Sequence, residues 1–222
     1  MARSGRDDSG VLVIGLGRFG ASIALTLEKL GTEVLAIDTD EGLVQKYSGL
    51  LTHVVRADAT QPEVLDQIGA GDFSLAVVGV GTTIEASVLI TANLVDQGKP
   101  VIWAKAISAA HGKILQRIGA HHVVYPEADA GKRVAHLVNG RLMDFIEFDD
   151  DFAIVKMRPP HEVQGMTLAE SDIRQRHGVT VVGVKSPGKD FTYAVPETMV
   201  AAHDLLIVSG RTELIEKFSQ RP

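Results

Sequence analysis

The chain has 222 residues, of which 45% are hydrophobic and 23% charged, so it can form one larger domain and one small domain. It contains no cysteine, which excludes disulfides and cysteine-ligated metals, and its formal net charge of −6 argues against a nucleic-acid polymer as partner. Apolar runs long enough to cross a bilayer are absent from the sequence, and the polar residues 1–9 are expected to be a disordered tail. These features predict a soluble cytoplasmic protein.

Helix and strand patterns alternate along the N-terminal half. Short apolar runs predict strands, and the segments between them carry apolar residues at helical spacing, as at Phe19, Ile23 and Leu27. Such alternation is typical of a Rossmann-like α/β fold, a doubly wound parallel sheet with both faces covered. The six predicted strands are residues 11–14, 33–38, 53–56, 75–78, 101–104 and 123–125.

The pattern changes after Pro126. Residues 129–147 carry apolar side chains at helical spacing, which predicts one long crossover helix. The remaining residues predict a small α+β lobe, with strands at 152–157, 179–185, 191–195 and 205–209 and helices near 167–176 and 211–219. We therefore expect a tail at 1–9, a nucleotide-binding domain at 10–128, a linker helix at 129–149 and a C-terminal lobe at 150–222.

A dinucleotide-fold fingerprint follows the first predicted strand. Gly15, Gly17 and Gly20 have the spacing G-x-G-x-x-G: the first permits a tight turn, the second lets a phosphate approach the backbone, and the third allows close packing of helix on strand. The next helix would present free N–H groups to an anion. Asp38 ends the second strand, about 20 residues further on, where an acid binds ribose hydroxyls. The sequence thus predicts an adenosine-nucleotide site.

Four further residues are candidates for this site. Arg18 suits the terminal phosphates of a triphosphate, with a solvated or interfacial arginine as the alternative. Asp40 either contacts ribose or caps the next helix. Asp58 either contacts the adenine amine or stabilises a turn, and Lys105, at the carboxyl end of a strand, either contacts phosphate or lies on the surface.

The chain resembles the RCK (regulator of potassium conductance) domain, and within it the cytoplasmic regulatory subunits of Ktr/Trk-type potassium uptake systems. The resemblance runs from about residue 10 to the end of the chain. In the N-terminal half it rests on the motifs Gly-Leu-Gly-Arg-Phe-Gly (15–20), Asp-Thr-Asp (38–40), Ala-Asp-Ala-Thr (57–60), Ile-Trp-Ala-Lys-Ala (102–106), Ile-Gly-Ala (118–120) and Tyr-Pro-Glu-Ala-Asp (125–129). In the C-terminal half it rests on Leu168, Ser-Asp-Ile-Arg (171–174) and Asp-Leu-Leu-Ile-Val-Ser-Gly (204–210).

The resemblance implies an octameric ring, a tetramer of dimers, beneath a separate membrane-embedded potassium channel or transporter subunit. Such rings change shape with ATP or ADP, and NAD(H) is the alternative nucleotide for this chain. Arg18 would reach the γ-phosphate, including across a subunit boundary. Phe19 and Ala59, which lie in two of these motifs, are further candidates for nucleotide contact. Glu127 would help hold a cation (Mg²⁺, Ca²⁺ or Na⁺) between two protomers, although a glutamate near a helix start is ordinarily a cap.

In some relatives two C-terminal lobes bind cyclic di-AMP at their seam. The corresponding positions here are Asp172, Ile173, Arg174, His177 and Pro196. Arginine suits a phosphate, and the isoleucine and proline offer apolar surface to purines. The alternative is that the two charged residues lie on the surface and Ile173 lies in the core.

Two other functional classes are weighed against the regulatory one. An NAD(P)-dependent oxidoreductase would share the fingerprint, but the second domain is small and no residue stands out as a proton donor or other catalytic group. A redox-sensing transcriptional regulator would require a helix-turn-helix or a basic patch, and the sequence has neither. A regulatory subunit, not an enzyme, is therefore the predicted function.

Overall fold

The computed structural model describes residues 10–81, 83–98, 100–139, 141–148 and 151–221. They form two compact units, and the chain divides between them after Glu127. The predicted tail at residues 1–9 lies outside the described residues, and the four-part domain division stays a prediction. None of the described helices combines the length and the apolar character that a membrane span requires.

One parallel sheet forms the first unit and confirms the predicted α/β fold. Its strands are β1 (Val11–Ile14), β2 (Val34–Asp38), β3 (His53–Arg56), β4 (Leu75–Val78), β5 (Val101–Lys105) and β6 (His122–Val124). They pair in the order β3-β2-β1-β4-β5-β6, and every pairing is parallel. The order reverses at β1, and in open α/β sheets ligands bind outside the carboxyl ends of the strands at such a reversal.

Helices cover both faces of this sheet. They are α1 (Arg18–Lys29), α2 (Glu41–Tyr47), α3 (Pro62–Gln67), α4 (Ile84–Asp96) and α5 (Ala109–Arg117). Successive side chains of a strand point to opposite faces. Leu12 and Ile14 accordingly join a core with side chains of α3, α4 and α5, whereas Val11 and Val13 join a second core with side chains of α1 and α2.

The second unit is a mainly antiparallel sheet with short helices. Its elements are α6 (Pro126–Asn139, which begins in the first unit), β7 (Leu142–Glu147), β8 (Phe152–Met157), α7 (Leu168–Ser171), α8 (Ile173–His177), β9 (Thr180–Lys185), β10 (Thr192–Tyr193), β11 (Leu205–Arg211) and α9 (Thr212–Ser219). The strands pair in the order β10-β9-β11-β8-β7. Val155, Leu206 and Phe218 lie in its single core cluster.

The predicted long helix over residues 129–147 is wrong in its second half. The helix α6 ends at Asn139, and residues 142–147 form the edge strand β7. The pairing of β7 with β8 shifts register between Leu142 and Asp144. This irregularity places the buried side chains of Leu142 and Phe145 three residues apart on one face, which imitates the periodicity of a helix.

The short helix predicted near 167–176 is divided into α7 and α8. Asp172 lies between them in the left-handed conformation, with φ of 46°, which interrupts the helical path. The sequence pattern did not indicate this break because an aspartate is compatible with the interior of a helix.

Candidate functional site

A cavity of about 510 Å³ lies at the carboxyl edge of the parallel sheet. Small-molecule sites in proteins have volumes of about 300–1,000 Å³. Its wall is formed by the residues that follow β1, β2, β3 and β4 and by the first turns of α4. The lining residues include Gly15, Gly17, Asp38, Thr39, Asp40, Ala57, Asp58, Ala59, Thr60, Gly79, Val80, Gly81 and Thr83.

The glycine turn has the geometry that the fingerprint predicts. Gly15 has φ of +95° and donates its N–H to the carbonyl of Ile37 at 2.8 Å. A Cβ on Gly20 would lie 1.9 Å from the carbonyl oxygen of Gly15, so only glycine fits there. Gly17 differs, because a Cβ there would meet nothing within 4 Å. The first glycine therefore permits the turn, the third permits close packing of helix on strand, and the second leaves open space beside the cavity.

Helix α1 begins at this open space. Gly17 is its N-cap residue and supplies no side-chain cap, and the first turn contains no acidic residue. The N-terminal N–H groups of an uncapped helix, together with the helix dipole, favour an anion. The turn thus offers an anion site at one end of the cavity.

Asp38 joins the glycine turn to the loop after β2. Its Oδ2 accepts a hydrogen bond from the N–H of Leu16 at 2.6 Å, and its Oδ1 accepts one from the N–H of Asp40 at 2.9 Å. These bonds fix the carboxylate at the cavity wall. Each oxygen retains acceptor capacity, since a carboxylate offers about four lone-pair positions.

Asp40 and Asp58 both have structural roles. Asp40 caps α2 by accepting a hydrogen bond from the N–H of Leu43 at 3.0 Å. Asp58 stabilises the turn after β3, where its Oδ1 accepts hydrogen bonds from the N–H and the hydroxyl of Thr60 at 3.0 and 2.7 Å. Both residues also line the cavity. The structural alternatives weighed for these acids are therefore present, and nucleotide contacts through them stay a prediction.

Lys105 and Glu127 form an ion pair beside the cavity. Lys105 Nζ lies 2.6 Å from Glu127 Oε1, with the lysine side chain 13% exposed and the glutamate side chain 64% exposed. Lys105 Nζ also lies 5.9 Å from the ring centroid of Phe19. A Cβ on Gly81, which lines the cavity, would be 3.6 Å from this ammonium group.

Arg18 belongs to the same charged group. The hydrogen bond from Lys105 is the main cause that lowers the pKa of Glu127, and the nearby Arg18 guanidinium lowers it further. Arg18, Phe19, Gly20, Lys105 and Glu127 do not line the cavity itself. The described ranges contain no set of three histidine or acidic side chains placed to hold a metal ion.

The loop after β4 also forms part of the cavity wall, and the sequence did not lead us to expect it there. Gly79, Val80, Gly81 and Thr83 line the cavity. A Cβ on Gly79 would lie 3.2 Å from the carbonyl oxygen of Gly15, so this loop packs closely on the glycine turn. The two glycines that follow a buried strand were the available signal.

A second cavity, of about 330 Å³, lies in the second unit. It brings together four of the five residues proposed for cyclic di-AMP, namely Asp172, Ile173, Arg174 and Pro196. The fifth residue, His177, does not line it.

The side chain of His177 is buried elsewhere in the second unit. Its Nε2 lies 3.1 Å from Glu162 Oε1, close enough for an ion pair although not aligned for a hydrogen bond. Its ring centroid lies 5.0 Å from that of Phe218. Burial lowers the pKa of His177, and the Glu162 carboxylate acts in the opposite direction.

Two family models match the chain. The TrkA-N domain matches residues 11–126, and the TrkA-C domain matches residues 152–221. The chain is 36% identical to the Ktr system potassium uptake protein C of Bacillus subtilis over 210 residues, which cover 94% of this chain and 95% of that protein. It is 34% identical to the Ktr system potassium uptake protein A of the same organism, over 93% of each chain.

Solved structures with the same fold come from a protein called GsuK. The GsuK RCK domain matches with a TM-score of 0.67 and 19% identity over 96% of this chain and 48% of that one. The GsuK channel bound to NAD matches with a TM-score of 0.62 and 19% identity, over 93% and 38%. GsuK bound to ADP matches with a TM-score of 0.52 and 25% identity, over 60% and 34%. The chain thus spans about half or less of each GsuK chain.

Proposed function

The chain belongs to the family of proteins that join a TrkA-N domain to a TrkA-C domain, and we propose that it is a nucleotide-sensing regulatory subunit of a potassium uptake system. The observation that carries this proposal is the match to Ktr potassium uptake proteins over almost the full length of both chains. The protein would act from the cytoplasm at the inner face of the membrane, through a separate membrane-embedded channel or transporter subunit that conducts the ion.

ATP and ADP are the proposed ligands of the cavity in the first unit. The uncapped N-terminus of α1 would receive phosphates, and Asp38 would accept the ribose hydroxyls with its remaining lone pairs. Adenine would rest near Asp58 and Ala59, which line the cavity. Arg18 and Lys105, which lie outside the lining, would face the terminal phosphates from beside Glu127. GsuK, at 25% identity, has been solved with ADP, and its NAD complex shares the fold, which keeps NAD(H) as the alternative nucleotide.

Assembly into a homo-oligomer is also proposed. Several large apolar side chains of the first unit are exposed on α4, on α5 and just before it, namely Ile84, Leu89, Ile107 and Ile114. Helix α6 exposes Val134 and Val138, one turn apart on one stripe. Exposed apolar surface of this kind is typical of protein contacts. We propose dimers that close into an octameric ring.

The test is potassium flux into vesicles that contain this chain with its membrane subunit. Flux should differ between ATP and ADP, and light scattering of the purified chain should give the mass of a ring. Thermal unfolding adds a cheaper control, because a sensor should be stabilised by ATP and ADP and an oxidoreductase by NAD(P)H. A stable monomer that responds only to NAD(P)H would contradict the proposal.

A cation at Glu127 is proposed to couple the nucleotide to ring shape. Hard cations prefer carboxylate and phosphate oxygens, and nucleotide phosphates from one or two protomers would supply the remaining ligands. A cation that binds one ring conformation more tightly shifts the equilibrium toward it. In the structure the Glu127 carboxylate pairs with Lys105 Nζ at 2.6 Å, so a cation would bind in competition with this lysine.

Glu127→Gln should keep ATP and ADP affinity within a few-fold and abolish any effect of Mg²⁺ or Ca²⁺ on potassium flux. The amide keeps the shape of the side chain but is a poor ligand for a hard cation. Glu63→Gln is the matched control, since Glu63 is also an exposed glutamate in the first turn of a helix. Divalent activation that persists in Glu127→Gln would place the cation site elsewhere.

The cavity of the second unit is proposed as a cyclic di-AMP site shared by two lobes. Arg174 would take a phosphate, and Ile173 and Pro196 would contact the purines. His177 is left out of this proposal because its side chain is buried against Glu162 and Phe218.

Calorimetry on the full chain should detect one cyclic di-AMP per two chains, with affinity reduced at least about tenfold in Arg174→Ala, the effect of losing one charge-assisted hydrogen bond. Arg176→Ala is the control, since Arg176 pairs with Glu162 and does not line the cavity. Absence of heat at tens of micromolar ligand, with the wild-type chain folded, would leave this lobe with a role in assembly alone.

A further inference from the structure

An arginine next to the ribose end of the proposed nucleotide cavity is held by a glutamate. Arg56, the last residue of β3, lies opposite Asp38 in the register of the sheet. Its Nε donates to the carbonyl oxygen of Thr39 at 3.2 Å, and its Nη1 lies 2.8 Å from Glu41 Oε2. Thr39 lines the cavity, whereas Arg56 and Glu41 lie outside it, with side chains 60% and 59% exposed.

These residues combine two opposing features of ribose recognition. In dinucleotide folds an acid at the end of β2 accepts an unmodified 2′-hydroxyl, whereas a nearby arginine accommodates a 2′-phosphate. Here the acid, Asp38, lines the cavity, and Arg56 lies opposite it on the neighbouring strand β3. The stretch from Asp38 to Glu41 carries three carboxylates, of which the Glu41 carboxylate forms the ion pair with Arg56.

We propose that Glu41 is a specificity-determining positioning residue, which holds Arg56 away from the ribose so that the cavity rejects nucleotides with a 2′-phosphate. This proposal rests on the proposed nucleotide-binding function. In Glu41→Gln the released Arg56 guanidinium would be free to meet a 2′-phosphate, whereas in the wild type its charge is neutralised by Glu41. An exposed ion pair holds its partners only weakly. Breaking it should therefore change the ratio of the affinities for nucleotides without and with a 2′-phosphate by about fivefold.

The test compares two ligands that differ only in the 2′-phosphate, AMP and adenosine 2′,5′-bisphosphate, by calorimetry on the full chain. The wild type should bind AMP at least about tenfold more tightly. Glu41→Gln should lower the ratio of AMP affinity to adenosine 2′,5′-bisphosphate affinity about fivefold, while the affinity for AMP itself changes little. The double variant Glu41→Gln/Arg56→Gln should restore the wild-type ratio, because the guanidinium is gone.

Glu33→Gln is the matched control, since it removes the same charge from an exposed residue at the amino edge of the same sheet and should leave the ratio unchanged. A ratio that stays at the wild-type value in Glu41→Gln, or a narrowing that persists in the double variant, would overturn the role of Glu41. Failure of the wild type to bind AMP, ADP or ATP would instead contradict the nucleotide site itself. The outcomes therefore separate the two proposals.

Discussion

Replacing Gly20 with alanine should lower the free energy of unfolding of the first unit by about 3 kcal/mol or more. The added Cβ would lie 1.9 Å from the carbonyl oxygen of Gly15, a backbone atom that cannot rotate away. Relief would require α1 to move off β1 or the turn at Gly15 to change shape, and that turn already has φ of +95°. Thermal unfolding followed by circular dichroism should show a midpoint lower by roughly 6–12 °C.

Gly17→Ala is the matched substitution for this experiment. A Cβ at Gly17 would meet nothing within 4 Å, and φ of −63° suits alanine, so stability should change by about 1 kcal/mol at most. Its methyl group would, however, occupy the space through which a phosphate approaches the backbone, and ADP affinity should fall at least about tenfold. If Gly20→Ala unfolds like the wild type, the packing explanation is wrong. If Gly17→Ala binds ADP normally, the phosphates lie elsewhere.

The glycine turn was predictable because its chemistry is local in the sequence. Three glycines, a preceding apolar strand and an acid at a fixed distance are sufficient to place Gly15, Gly20 and Asp38, and the structure has the expected backbone geometry. The same holds for the inner strands β1, β2 and β4, which are largely buried, since strands buried on both faces are continuous apolar runs. Local patterns of this kind depend little on distant contacts.

Features that depend on tertiary contacts were not predictable in the same way. The strand β7 imitates a helix because its pairing with β8 is irregular, and nothing within residues 142–147 alone indicates that irregularity. The ion pair between Arg56 and Glu41 joins exposed residues from different elements. Hydrophobic periodicity in the sequence does not indicate such a pair. The burial of His177 follows from its contacts with Glu162 and Phe218, which are distant in the sequence.

Arg18 offers the sharpest test of nucleotide discrimination. It is the first residue of α1 and is exposed, and a cation at a helix N-terminus is unfavourable for the helix itself. Its charge acts on Glu127, which pairs with Lys105, so several charged side chains lie beside the anion-binding turn. Such a position disfavours folding slightly but suits a ligand that brings additional negative charge, as ATP does relative to ADP.

Arg18→Ala should therefore lower the affinity for ATP at least about tenfold and the affinity for ADP only a few-fold, because a charge-assisted hydrogen bond contributes about 1.5–3 kcal/mol. Stability should stay unchanged or rise slightly, which separates this effect from misfolding. Arg18→Lys should recover part of the preference, since it restores the charge without the forked donor. Lys29→Ala removes a charge from the last turn of the same helix and should leave the ratio of ATP to ADP affinity unchanged. An equal loss for both nucleotides in Arg18→Ala, measured by calorimetry, would show that this arginine does not distinguish them.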